Sequence, residues 1–63
     1  MTYAEAIKAL RKKMLITQTE LAAMLGVAFV SVNRWENGAY EPTMKAKRKL
    51  STLFKENGIS MED

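Results

Sequence analysis

The chain has 63 residues, a size that buries only about 60% of its unfolded surface, and the absence of cysteine leaves it no disulfide or zinc–thiolate site in compensation. With no histidine either, and with seven mostly isolated acidic residues, it assembles no metal site, paired carboxylates or phosphate-cradling loop, so neither enzyme activity nor a cofactor is expected. The net charge is +3, and residues 1–55 hold all ten Lys and Arg against Glu5, Glu20, Glu36 and Glu41, a basic body that fits a polyanionic partner or simply a solvated surface.

The first helix opens at Thr2-Tyr3-Ala4-Glu5, a capping box in which Thr2 caps and Glu5 reaches back. Tyr3, Ile7, Leu10 and Met14 then share one helical face, while Lys8, Arg11, Lys12 and Lys13 cluster towards the end, where cations suit the helix dipole. Thr17-Gln18-Thr19-Glu20 repeats the capping device for a second helix, with Leu21, Met24 and Leu25 as its apolar stripe and Ala22 small beside them. Gly26 reads as its stop, because glycine tolerates the left-handed backbone of a tight turn. A third helix spans about 28–36 and ends at Asn37-Gly38. After the Ala39-Tyr40-Glu41-Pro42 loop, Thr43 caps a fourth helix whose inward face is Ala46, Leu50, Leu53 and Phe54. Asn57-Gly58 ends it, Ile59 supplies the apolar contact that follows such a cap, and residues 60–63 read as a tail able to fray. Strands, repeats and linkers are not expected, nor is a membrane span or signal segment, since no apolar run approaches about 18 residues. The expectation is a single all-α domain over 1–63, cytoplasmic and without membrane contact.

Two short helices joined by little more than Gly26-Val27 form a helix-turn-helix unit over about 17–37. Gln18, Glu20-Leu21-Ala22, Leu25-Gly26-Val27, Val32 and Glu36-Asn37-Gly38, followed by Pro42, resemble the Cro/lambda-repressor-like (XRE) family, with Arg11 where that family commonly carries an arginine in its first helix. The resemblance covers about residues 3–59. It implies a compact four- to five-helix DNA-binding domain with the third helix in the major groove. It also implies an ion pair between Arg11 and Glu36 that fastens the first helix to the third. The chain departs from the family at Ala28-Phe29-Val30, where Ser or Thr with polar neighbours is usual.

Advancing 100° per residue from Val32 sets Ala28, Trp35 and Glu36 within about 60° of it, on an inward face. Val30, Arg34 and Asn37 lie opposite, Asn33 flanks them, and Phe29 falls on the border. Arg34 is the leading base reader, since a guanidinium bonds guanine O6 and N7 together; a phosphate contact or a solvated charge are its alternatives. Asn33 suits adenine, and Val30 suits a thymine methyl. Phe29 either meets bases or folds back on Met24 or Leu25, with partial burial favoured. Phe29 stays among the base readers because the matching position of the family often meets bases, and Ala28 completes the set. Gln18, beside an exposed helix N-terminus, and Asn37, Tyr40, Thr43 and Lys45 are the phosphate candidates, while Lys47, Arg48 and Lys49 add only field.

These residues point to a small transcriptional regulator, a repressor, that binds a specific double-stranded DNA operator, palindromic if the protein acts as a homodimer. The alternative is an antitoxin or a phage or plasmid control protein that works mainly through a protein partner, using exposed Phe29, Val30 and methionines as adaptable apolar contacts.

Overall fold

The computed structural model describes residues 1–61 and contains four α-helices among them: α1 (Tyr3–Met14), α2 (Gln18–Leu25), α3 (Phe29–Glu36) and α4 (Met44–Glu56). No strand occurs among the described residues, and none of these helices is long and apolar enough to cross a membrane.

Local chemistry sets most of the boundaries. The Glu5 backbone N–H donates to Thr2 Oγ1 at 3.2 Å while the Thr2 N–H donates to Glu5 Oε1 at 2.9 Å. Thr17 and Glu20 repeat that reciprocal pair at 3.1 and 2.8 Å. Thr43 caps α4 by accepting the Ala46 N–H at 3.3 Å. Each such cap is worth about 1 kcal/mol, because it satisfies amides that the helix itself leaves without partners. The start of α3 differs: Ala28 is its N-cap, extended at φ −73° and ψ 149°, and no side chain bonds the first amides.

Gly26 ends α2 at φ 71°, with the Val27 N–H folding back onto the Ala22 carbonyl at 3.0 Å. The turn into α3 is therefore short, and α3 lies across both α1 and α2. Helix α4 packs on α1 and α2 as well. Two lysines tie these packings at helix C-termini, where carbonyls lack partners and the dipole favours cations. Lys49 of α4 donates to the Leu25 carbonyl at 3.2 Å, and Lys13 of α1 donates to the Asn57 carbonyl at 2.9 Å.

The core draws on all four helices: Ala6, Ile7 and Leu10 from α1; Leu21, Ala22 and Leu25 from α2; Val32 and Trp35 from α3; Ala46, Leu50 and Phe54 from α4. Tyr3, Met14, Leu53 and Ile59 pack partly buried against it. Met24, expected in the α2 stripe, is instead exposed. Leu21, Ala22 and Leu25 centre the buried face, and Met24 falls about 100° to one side of that centre at 100° per residue. Ala28, expected to point inward, is also exposed. Because α3 begins one residue later than its pattern suggested, a helical wheel does not extend to Ala28. Of the expected tail, Met61 packs against the core, whereas Glu62 and Asp63 lie outside the described residues.

Leu15 carries a cost with no visible return. It caps the C-terminus of α1 in the left-handed conformation, φ 57° and ψ 46°, while its side chain is 89% exposed. Left-handed backbone costs a residue with a Cβ roughly 1–2 kcal/mol, only part of which is offset by the extra freedom glycine gives the unfolded chain. Leu15→Gly is expected to stabilise the domain by about 0.5–1 kcal/mol, a rise of roughly 2–8 °C in thermal melts. An unchanged or lower melting temperature would mean that the leucine side chain makes a compensating contact.

Candidate nucleic-acid interface

One carboxylate fixes the orientation of α3. Glu36, in its last turn, is only 4% exposed. Arg11 of α1 grips it with two bonds, Nε to Oε2 at 2.5 Å and Nη2 to Oε1 at 2.8 Å. Gln18, the first residue of α2, adds a third from Nε2 to Oε1 at 3.1 Å. The same guanidinium also reaches the Ile16 carbonyl from Nη1 at 3.4 Å, so Arg11 spans the α1–α2 connection and α3 together. Burial by itself pushes the Glu36 carboxyl up, but the hydrogen bonds from Arg11 and Gln18, with the charges of Arg11 and Lys8, outweigh it. The net result is a carboxyl held below the ordinary glutamate value. The bond to Glu36 likewise raises the Arg11 guanidinium, against the opposing effect of burial.

With Val32, Trp35 and Glu36 turned inward, the opposite side of α3 faces solvent. Phe29 is 50% and Val30 44% exposed, Arg34 and Asn37 are exposed, and Asn33 is half-buried. Phe29 thus keeps about half its surface in water and half covered, a partial burial. Beyond α3 the chain turns at Gly38, φ 77°, and the Ala39 N–H bonds the Arg34 carbonyl at 3.1 Å. Tyr40 comes beside α3 as a result, and the Arg34 guanidinium carbon lies 5.5 Å from its ring centre.

The other expected contacts sort into two groups. Thr43 and Lys45 are exposed at the start of α4, with the Thr43 oxygen accepting its capping bond. Lys45 stands in the first turn, where its charge opposes the helix dipole and that turn holds no acidic residue to offset it. Gln18, expected at a phosphate, is half-buried with one amide hydrogen committed to Glu36. Two lysines expected to contribute field alone have specific partners instead. Lys47 bonds Glu41 at 3.0 Å and lies 5.0 Å from the Tyr3 ring centre, and the Glu41 bond raises its ammonium. Lys49 closes the end of α2, as described above. Sequence reasoning missed Gln18 as the second partner of Glu36, Lys49 as a clamp and Tyr40 as a partner of Arg34. Only the last carried a local signal, a cation six residues before an aromatic across a glycine turn.

Comparison with known proteins agrees with this geometry. The helix-turn-helix family matches residues 7–57, and with them all of α2, α3 and α4 and most of α1. The HTH-type transcriptional regulator DicA of Escherichia coli (strain K12) is 41% identical over 54 residues, covering 86% of this chain and 40% of that protein. The chain therefore spans less than half the length of this relative. No solved structure matches the chain significantly.

The Glu36 cluster sets an acid limit on stability. Its carboxyl titrates lower in the folded than in the unfolded chain, where about 4.3 is normal, so between those two values the unfolded chain binds more protons. The contribution is complete above about pH 5 and is lost as pH falls through the folded-state value. Glu36→Gln should cost about 2–3 kcal/mol at pH 7, less than the about 3–5 kcal/mol of breaking a fully buried pair because Arg11 is partly exposed. Its stability should also fall less steeply below pH 5 in urea titrations. A variant with the parent's acid slope would assign that slope to other carboxylates.

Proposed function

Because the chain belongs to the XRE-type helix-turn-helix family of DNA-binding transcriptional regulators, we propose that it binds a specific double-stranded DNA site, as a cytoplasmic repressor, with α3 in the major groove. The carrying observation is the two-sidedness of α3: Val32, Trp35 and Glu36 are buried, while Phe29, Val30 and Arg34 face solvent. At 1.5 Å per residue, Phe29 and Arg34 are about 7–8 Å apart along the axis, roughly two base-pair rises. Arg34 reads a guanine edge, Asn33 an adjacent base, and Val30 and Phe29 lie against thymine methyls or sugar edges. Ala28, exposed at the cap, offers only its methyl. The alternative in which Phe29 and Val30 serve a protein partner lacks a feature that favours it over this one.

Phosphate contacts flank the reading face. Lys45 and Thr43 at the start of α4, and Asn37 beyond α3, hold one strand; the N-terminus of α2 and Gln18's remaining amide hydrogen hold the other. The uncompensated Lys45 supports this, because the charge that opposes the α4 dipole is favourable next to a phosphate. The relative named as a transcriptional regulator supports the regulatory role. A homodimer would meet two half-sites about 34–36 Å apart and select a palindrome. Binding, not catalysis, is the activity proposed.

Selection of bound sites from random duplex DNA tests this directly. Arg34→Ala should relax preference at one base pair, a loss of about 1–3 kcal/mol of discrimination, whereas Lys45→Ala should weaken all sequences alike and reduce the salt slope by about one. No enriched site, together with salt-insensitive capture of a protein, would replace DNA by a protein partner.

A further inference from the structure

The contact between Arg34 and Tyr40 assigns a role to the tyrosine that the DNA-binding reading leaves out. We infer that Tyr40 is a positioning residue for base recognition: its ring holds the Arg34 guanidinium ready to read, and its contribution is to specificity more than to backbone contact. The inference rests on the proposed role of Arg34 as a base reader.

Both side chains are exposed, Tyr40 by 63%, so neither is held by the core. An unrestrained arginine on a helix surface samples many rotamers, and ordering it on DNA costs binding free energy. Here the loop removes part of that freedom. Gly38 turns the chain and the Ala39 amide is bonded to the Arg34 carbonyl, so the backbone carrying Tyr40 is tied to the residue whose side chain its ring meets. The guanidinium carbon lies 5.5 Å from the ring centre, within range of cation–π attraction. The contact with the ring takes up none of the guanidinium's hydrogen bonds, so its N–H groups stay able to donate to guanine O6 and N7. Among the described residues no acidic side chain is paired with Arg34, and the carboxylate nearest in sequence, Glu36, is committed to Arg11 and Gln18.

A phosphate ligand and a positioning residue differ in which part of the tyrosine matters. The first needs the hydroxyl and the second needs the ring. The test measures affinities of the full chain and its variants for the selected DNA site and for versions substituted at the base pair whose preference Arg34→Ala abolishes. Tyr40→Leu should reduce discrimination at that base pair about two- to five-fold, while Tyr40→Phe should leave it within error of the parent. In an Arg34→Ala background, Tyr40→Leu should have no further effect on preference, a non-additivity that a merely structural loss would not produce. Thermal melts confirm that the variants fold, as expected for two exposed positions. The inference is overturned if Tyr40→Phe weakens every sequence as much as Tyr40→Leu with base preference intact, since the hydroxyl is then a phosphate ligand. Equal effects of Tyr40→Leu with and without Arg34 overturn it as well. If Arg34→Ala changes no base preference at all, the base-reading role itself fails and the positioning role falls with it, an outcome distinct from the other two.

Discussion

Glu36 brings a negative charge into the interior of a 63-residue chain, and three helices are arranged around the need to satisfy it. Left alone, a buried carboxylate would cost several kcal/mol, a large part of the stability such a domain can have. Arg11 from α1 and Gln18 from α2 supply three hydrogen bonds, and in doing so fix the position of the last turn of α3 relative to both. Apolar packing of Val32 and Trp35 tolerates small slips; a bidentate bond to a guanidinium does not. The rotation of α3, and with it the side chains turned to solvent, follows from where that carboxylate must be.

The surface charges divide according to this frame. Some cations serve the fold: Arg11 at Glu36, Lys13 and Lys49 at helix ends, Lys47 with Glu41. Lys45 is different: it stands in the first turn of α4, where it has no ion-pair partner among the described residues and the helix dipole works against it. A count of basic residues does not separate these groups, which is why composition left a polyanion partner and a solvated surface equally open.

Most of the helices were legible because their signals are local. Thr2 with Glu5, Thr17 with Glu20, and Gly26 after Leu25 are short-range patterns whose chemistry does not depend on what packs elsewhere. The errors arose at ends and edges. Ala28 fits the pattern of a helix that in fact begins after it, and Met24 fits the apolar stripe of a helix whose buried face is narrower than its apolar content. Arg11 and Glu36 are 25 residues apart, so no spacing connects them; the family resemblance alone did. Gln18 turning to Glu36 and Lys49 reaching Leu25 depend on where long side chains meet after the helices have docked, and no pattern along the chain encodes that.

The uncapped start of α3 has a kinetic consequence. Helices of eight residues do not persist alone in water, and this one lacks the threonine cap that its three neighbours share and carries β-branched Val30 and Val32. It is held by what it docks against, so it belongs among the last elements to form and the first to open. Substitutions on its buried side should then act on the rate of unfolding much more than on the rate of folding. The surface that faces solvent from α3 therefore exists only while α1 and α2 are assembled beneath it. A partly unfolded chain would retain its lysines and their general attraction for polyanions after losing the geometry needed to discriminate among them.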